Sequence, residues 1–283
     1  MSYVSPEDVV ENMIKAGQAK AKLPVKDLLL RGALAGVFLG YATTLAFTAS
    51  LQTQLPIVGA LIFPVGFVMV ILLGLELVTG NFALIPTALF SGKVKINNMF
   101  LNWFWVIVGH LIGSIFYALL FVLAITNFGH TNENPMIEEL IKVAEFKTIA
   151  YKSMGMDGVF TAFIKAILCN WMVALGAVMA MTSQSTTGKI AAMWLPILIF
   201  FGQGFEHAVV NMFVIPAGMM LGANVSFSDW WLWNQLPVTF GNLISGFFLA
   251  GLAFYVTHKK KTNITSKEKM SFENPSNSKI KQA

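Results

Sequence analysis

The chain has 283 residues, 56% of them hydrophobic and only 12% charged, with a mean hydropathy of +0.68. A soluble domain of this size carries about twice that share of charge, so the composition excludes a water-soluble enzyme and implies a polytopic membrane protein. The net charge of +5 reports topology rather than nucleic-acid binding, because most lysines lie between and outside the apolar segments.

In chain order, residues 1–27 read as an amphipathic helix. Ser5 is its N-cap, Pro6 its first residue, and Glu7 and Asp8 follow. Val9, Val10, Met13 and Ile14 share one face, and Lys15, Lys20, Lys22 and Lys26 suggest an interfacial helix beside anionic lipid. The first 25 residues lack the apolar core of a cleavable signal peptide. Apolar segments of the length a membrane helix needs follow at about 29–50, 56–90 and 98–127, forming a first repeat over 28–127. A loop at 128–157 holds five acidic residues and Lys142, Lys147 and Lys152. Segments at about 158–182, 190–222 and 235–257 form a second repeat over 158–258, and a polar tail spans 259–283. Fifteen of the 19 Lys/Arg lie in the N-terminal arm, at the start of the first span (Arg31), in the 91–97 and 183–189 loops and in the tail. The positive-inside rule therefore makes both termini cytoplasmic and the 128–157 loop extracytoplasmic, in a multi-pass protein of the cell membrane. Trp230, Trp231 and Trp233 read as an outer interfacial belt.

The second and fifth apolar segments are too long for one simple span, and each carries an acidic residue. "GLELVTGNFALIP" (74–86) and "GFEHAVVNMFVIP" (204–216) share the frame G-x-E-x4-N-x3-I-P, displaced by 130 positions. "NWFWVIVGHLI" (102–112) and "NQLPVTFGNLI" (234–244) form a second pair, and "RGALAG" (31–36) and "KAILCN" (165–170) a weaker third. Three spans per unit is odd, so two such units run in opposite directions across the membrane. Inverted repeats with paired broken helices mark transporters and channels whose site lies near the midplane. Glycines and Pro86 and Pro216 explain the breaks. The symmetric Glu76 and Glu206 read as structural acceptors for hydrogen bonds from the broken loops. Gly32, Gly36 and Gly40, with Gly109 and Gly113, mark close helix contact.

These motifs, with "ILCNWMV" (167–173), resemble the formate/nitrite transporter family over nearly the whole chain. The resemblance implies an all-α polytopic membrane protein: six transmembrane helices as two inverted three-helix repeats, with helices 2 and 5 broken. It further implies an aquaporin-like protomer with its own pore, assembled as a homopentamer in membrane lipid, and a small monovalent anion as substrate. Carried over by position, His207 matches the pore histidine and Thr79 lies in the loop facing it. Asn170 and Asn211 match supporting polar residues, and Phe63, Phe67, Leu77, Val173 and Phe200 match the apolar constrictions. The family's vestibule lysine aligns with Met154, which leaves Lys152 as the nearest candidate and Lys165 as its competitor. His110 stands where the family motif usually has Asn, as Asn242 does in the mirrored span. It reads as a packed polar residue rather than a second relay.

An anion crossing an apolar slit faces a large desolvation cost. Protonating a carboxylate of pKa ~3.5 at pH 7 costs about 5 kcal/mol, at roughly 1.4 per unit, so a weak acid passes more easily in neutral form. His207 would supply or relay that proton, or stay cationic and stabilise the anion. Formate is the first substrate expected and nitrite the second, with hydrosulfide and lactate open. A neutral-solute channel is the nearer rival, against which stand the absence of paired Asn-Pro-Ala motifs and the central histidine. An intramembrane metalloenzyme built on Glu76, Glu206 and His207 lacks an H-E-x-x-H pattern. No enzyme activity, cofactor, metal or nucleic-acid partner is expected, and the lone Cys169 reads as inert.

Overall fold

The computed structural model describes residues 3–259, so the expected tail lies outside the described residues except for Lys259. The described chain is all-α. Four helices are long and apolar enough to cross a membrane: α2 (Val25–Thr53), α6 (Ile96–Ile125), α8 (Met156–Met179, continued to Thr182) and a composite run Phe227–His258. The composite comprises α11 (Phe227–Trp230), α12 (Leu236–Ile244) and α13 (Ala253–His258), joined by π-helical turns at Trp231–Gln235 and Ser245–Leu252. Between the long helices lie two pairs of shorter ones. The first pairs α3 (Pro56–Ile62) and α4 (Pro64–Leu72) with α5 (Val78–Phe90). The second is α9 (Thr186–Gly202) with α10 (Ala208–Met220). Each pair interrupts an apolar segment just ahead of the repeated glutamate.

The breaks have a local cause. Gly74 (φ +64°) and Gly204 (φ +65°) adopt the left-handed conformation that ends a helix. The following N–H groups turn back: Leu75 N–H to Val70 O at 3.0 Å, and Phe205 N–H to Phe200 O at 3.2 Å. Three residues then run without helical structure before α5 and α10 start. Pro86 and Pro216 are not the breakers expected. Both lie inside α5 and α10, which continue through them.

Packing brings the halves into matching arrangements. α2 and α6 meet so closely that a Cβ on Gly32 would sit 2.9 Å from Val106 O, and one on Gly109 would sit 2.6 Å from Leu29 O, as the glycine spacing implied. The N-terminal helix α1 (Pro6–Lys20) is capped by Ser5 as expected. Its apolar face is spent on protein rather than lipid, since Val10 and Met13 are fully buried in a cluster with Leu84. A Cβ on Gly17 would strike the Leu84 carbonyl of α5. The segment expected as a loop at 128–157 contains a matching helix, α7 (Pro135–Ser153). It covers α10 as α1 covers α5, and here the close approach falls at Gly218, against Leu140 and Ala144 of α7. Trp230 also departs from the expected lipid-facing belt: it is 4% exposed, and its indole N–H donates to Gln235 Oε1 at 3.0 Å.

Candidate functional site

Each break is held by a buried carboxylate clamped from the covering helix. Lys20 Nζ donates to Glu76 Oε1 at 2.8 Å, and Lys147 Nζ donates to Glu206 Oε2 at 2.9 Å. Asn81 Nδ2 donates to Glu76 Oε2 and Asn211 Nδ2 to Glu206 Oε2, both at 2.7 Å. Those amides also donate to Asn102 Oδ1 at 2.9 Å and Asn234 Oδ1 at 2.8 Å. Asn102 and Asn234 in turn donate to the carbonyls of Lys20 and Lys147. Every member of one bracket has its mate 127–132 positions along the chain. A buried carboxylate needs such pairing and hydrogen bonding. The glutamates are thus acceptors as expected, but their donors are side chains of Lys, Asn and Tyr, not the backbone of the broken loops.

Glu206 has further support. Asn234 Nδ2 reaches it at 3.3 Å, and Tyr151 Oη donates to Oε1 at 2.9 Å. Burial, reinforced by the Glu206 charge, pushes the Tyr151 phenol above its ordinary range, so the hydroxyl keeps the proton it donates. Lys165 Nζ approaches Tyr151 Oη at 3.4 Å and packs over the Phe146 and Tyr151 rings.

His207 follows this carboxylate and caps α10. The Val210 N–H donates to its Nδ1 at 3.2 Å, while Nε2 lies 3.2 Å from Thr79 Oγ1 in the opposite break. A backbone N–H can only donate, so Nδ1 is unprotonated and the neutral ring carries its hydrogen on Nε2. The imidazole also stacks against Phe200, with centroids 5.6 Å apart. Thr79 and His207 are buried at 0% and 3% exposure, so the two breaks meet in the interior through this pair.

Other expected site residues divide into two groups. Asn170 Nδ2 donates to the carbonyls of Thr79 at 3.2 Å and Asn242 at 2.6 Å, tying both halves together. Phe63 packs edge-on against Phe200 and stacks on Phe201 at 3.9 Å, continuing the aromatic wall away from His207. Phe67, Leu77 and Val173 are buried in the same core. Lys152 is different. It is half exposed and bonds Asp229 Oδ1 at 2.8 Å, a different carboxylate from the one that Lys147 reaches. A cavity of about 220 Å³ is lined by His207, Lys147, Asn211, Phe200, Phe201 and Phe205, and Lys152 takes no part in it. On the α1 side a wider recess of about 800 Å³ is bordered by Lys15, Lys20, Lys189, Gly74 and Leu75. Lys20 and Leu75 occupy there the stations that Lys147 and Phe205 occupy in the smaller cavity.

Sequence reasoning passed over Lys20, Lys147 and Phe201 as site residues. For the lysines a signal existed. They lie 127 positions apart, close to the 130 separating the glutamates, but both sit outside the apolar segments that carry the recognisable repeat.

Paired half-helices that meet at buried polar side chains, inside an all-helical apolar scaffold, define a membrane transport protein for small solutes. The profile of the formate/nitrite transporter family matches residues 7–256. The chain belongs to that family, whose members are transporters and channels rather than enzymes. It is 37% identical over 269 residues to the uncharacterized transporter YrhG of Bacillus subtilis (strain 168), covering 92% of this chain and 96% of that one. It is 32% identical to the formate channel BtFdhC of Bacillus thuringiensis, covering 92% and 98%. Among solved structures, an FNT family ion channel superimposes with a TM-score of 0.71 at 25% identity, covering 89% of this chain and 97% of that one. A pentameric formate channel with formate bound matches in fold, with a TM-score of 0.66 at 23% identity and coverage of 82% and 96%.

Proposed function

We propose that the protein conducts small monovalent anions, formate first and nitrite second, through a pore whose centre is the Thr79–His207 pair. The observation that carries this reading is His207 itself: a buried imidazole at a helix break, bonded to the opposite break and opening on a cavity that also holds Lys147. Intramembrane ionisable residues are costly and mark ion pathways. The recess bordered by Lys20 and the cavity bordered by Lys147 serve as the two vestibules, and their lysines favour an anion beside the apolar walls although Glu76 and Glu206 offset part of their charge. Phe63, Phe67, Leu77, Val173 and Phe200 form the constrictions. Lys147 takes the vestibule role first assigned to Lys152, because it shares a cavity with His207.

His207 assists proton-linked passage. A proton taken up at Nδ1 displaces the Val210 N–H bond. Passing the Nε2 proton to Thr79 Oγ1, while the Thr79 hydroxyl proton moves to the carboxylate, leaves a neutral ring and a neutral acid. The acid then crosses the slit without the desolvation cost of its anion. By analogy with the structural relative titled a pentameric formate channel, the chain forms a homopentamer. It is a cell-membrane protein with six spans in two inverted repeats and cytoplasmic termini. The test is a flux assay in proteoliposomes between pH 5 and 8, comparing formate, nitrite, hydrosulfide, lactate and glycerol. Formate and nitrite flux that changes with pH and with His207→Asn supports the reading. Glycerol flux without anion flux would sink it.

A further inference from the structure

The half-helix α5 begins without a cap of its own. Leu77 stands 130 positions before His207, at the matching station, and its side chain accepts nothing. The first N–H groups of a buried helix need acceptors from elsewhere. One comes from α6. The Val78 N–H donates to His110 Nε2 at 3.0 Å, and His110 Nδ1 lies 2.8 Å from the Gly32 carbonyl of α2. The imidazole is fully buried. Because an amide N–H only donates and a carbonyl only accepts, this ring is neutral with its hydrogen on Nδ1, the opposite tautomer to His207.

The second half performs the same task with an amide. Asn242, 132 positions after His110, accepts the Ala208 N–H through Oδ1 at 2.9 Å. Its Nδ2 donates to the carbonyls of Ala166 at 2.8 Å and Glu206 at 3.1 Å. Asn242 thus uses two donors and one acceptor, whereas His110 uses one of each. Both breaks borrow an acceptor from the neighbouring span, and the symmetry fails at two places: Leu77 stands where His207 caps α10, and His110 stands where the other half has Asn242.

We propose that His110 is the positioning residue of the first break, holding Val78 and the adjoining Thr79 in register with His207 through a neutral ring locked as the Nδ1–H tautomer. This rests on the reading of the Thr79–His207 pair as the pore centre. It also gives His110 a task that excludes proton relay in this arrangement. A proton on Nε2 would point at the Val78 N–H, and loss of the Nδ1 proton would leave two acceptors facing each other at Gly32.

Two measurements test it. In lipid-reconstituted protein labelled with ¹⁵N-histidine, the signal that disappears in His110→Asn should report a protonated Nδ1 and a bare Nε2. An Nε2–H tautomer or an imidazolium would overturn the proposal. In flux assays, His110→Asn should stay within about threefold of the parent, because an amide offers the same acceptor and donor. His110→Leu, at unchanged oligomer size, should lose about tenfold or more, the order expected for a lost buried acceptor. His110→Leu combined with Thr79→Val should be no worse than the poorer single variant, since residues acting through one contact are not additive. Additive losses, a fully active His110→Leu or an inactive His110→Asn would each overturn the positioning role. If His110→Leu does not assemble, the tautomer and the His110→Asn flux decide. Formate flux insensitive to both Thr79→Val and His207→Asn would remove the pore reading and the transport part of this proposal. The tautomer assignment stands or falls on the labelled spectrum alone.

Discussion

Replacing Lys147 with methionine would strand the Glu206 carboxylate. The ion pair is 2.9 Å long, and its side chains are 15% and 1% exposed, so the charge left behind has little access to water. Removing one partner of a buried pair costs about 3–5 kcal/mol. Here Asn211, Asn234 and Tyr151 still donate to the carboxylate, and a hydrogen bond to a charged group contributes about 1.5–3 kcal/mol. The lower end, about 3 kcal/mol, is therefore expected. At about 2–4 °C per kcal/mol for a chain of this order of size, the thermal midpoint of detergent-solubilised protein should fall by roughly 6 °C or more. Adding Glu206→Gln neutralises the stranded charge and should recover at least half of the loss. The first half offers an internal control. After Lys20→Met, Glu76 keeps only the Asn81 bond among those described, so that variant should lose more than Lys147→Met, moderated by the 21% exposure of Lys20. Thermal unfolding followed by size exclusion reads all four proteins. A Lys147→Met protein as stable as its parent, or a double variant no better than the single, would refute the argument from an uncompensated buried charge.

Transport should separate the lysines as well. Lys147→Ala should lower formate flux most at low substrate concentration, whereas Lys152→Ala, which leaves Asp229 to its remaining bonds from Ser226, should leave initial rates unchanged in the same assay. His207→Asn should keep the oligomer and an anion leak while losing the part of the pH dependence of flux between pH 5 and 8 that proton transfer through the ring supplies. His207→Phe should close the pore. Gly204→Ala meets no atom within 4 Å but forces a side chain to φ +65°, so it should cost about 1–2 kcal/mol, read as a lower thermal midpoint. Tags at either terminus should be protected from external protease and a tag within 128–157 exposed; the reverse sidedness would overturn the orientation assigned from the lysine bias.

The amino-acid sequence by itself determined the class of protein and the place of its centre. Apolar length alone requires a membrane environment. Two frames 130 positions apart required one structural solution used twice, and a histidine inside the second frame marked where polarity had been kept at a cost. Motif resemblance added the family. What the sequence did not reveal were the partners that make those buried charges tolerable. Lys20 and Lys147 lie 56 and 59 residues from their glutamates, on helices outside the long spans, and only the docking of α1 on α5 and α7 on α10 brings them in. Lys152 was only the lysine nearest to Met154, the position that the family motif indicates. Five residues on a helix turn about 140° beyond a full revolution, so α7 cannot aim Lys147 and Lys152 at the same carboxylate. His110 is the sharpest case. In the sequence it is one polar residue on an apolar span, indistinguishable from a packed one. Its task exists only because α6 lies against the Gly32 carbonyl on one side and the uncapped start of α5 on the other, and hydrogen-bond direction then leaves the ring a single tautomer.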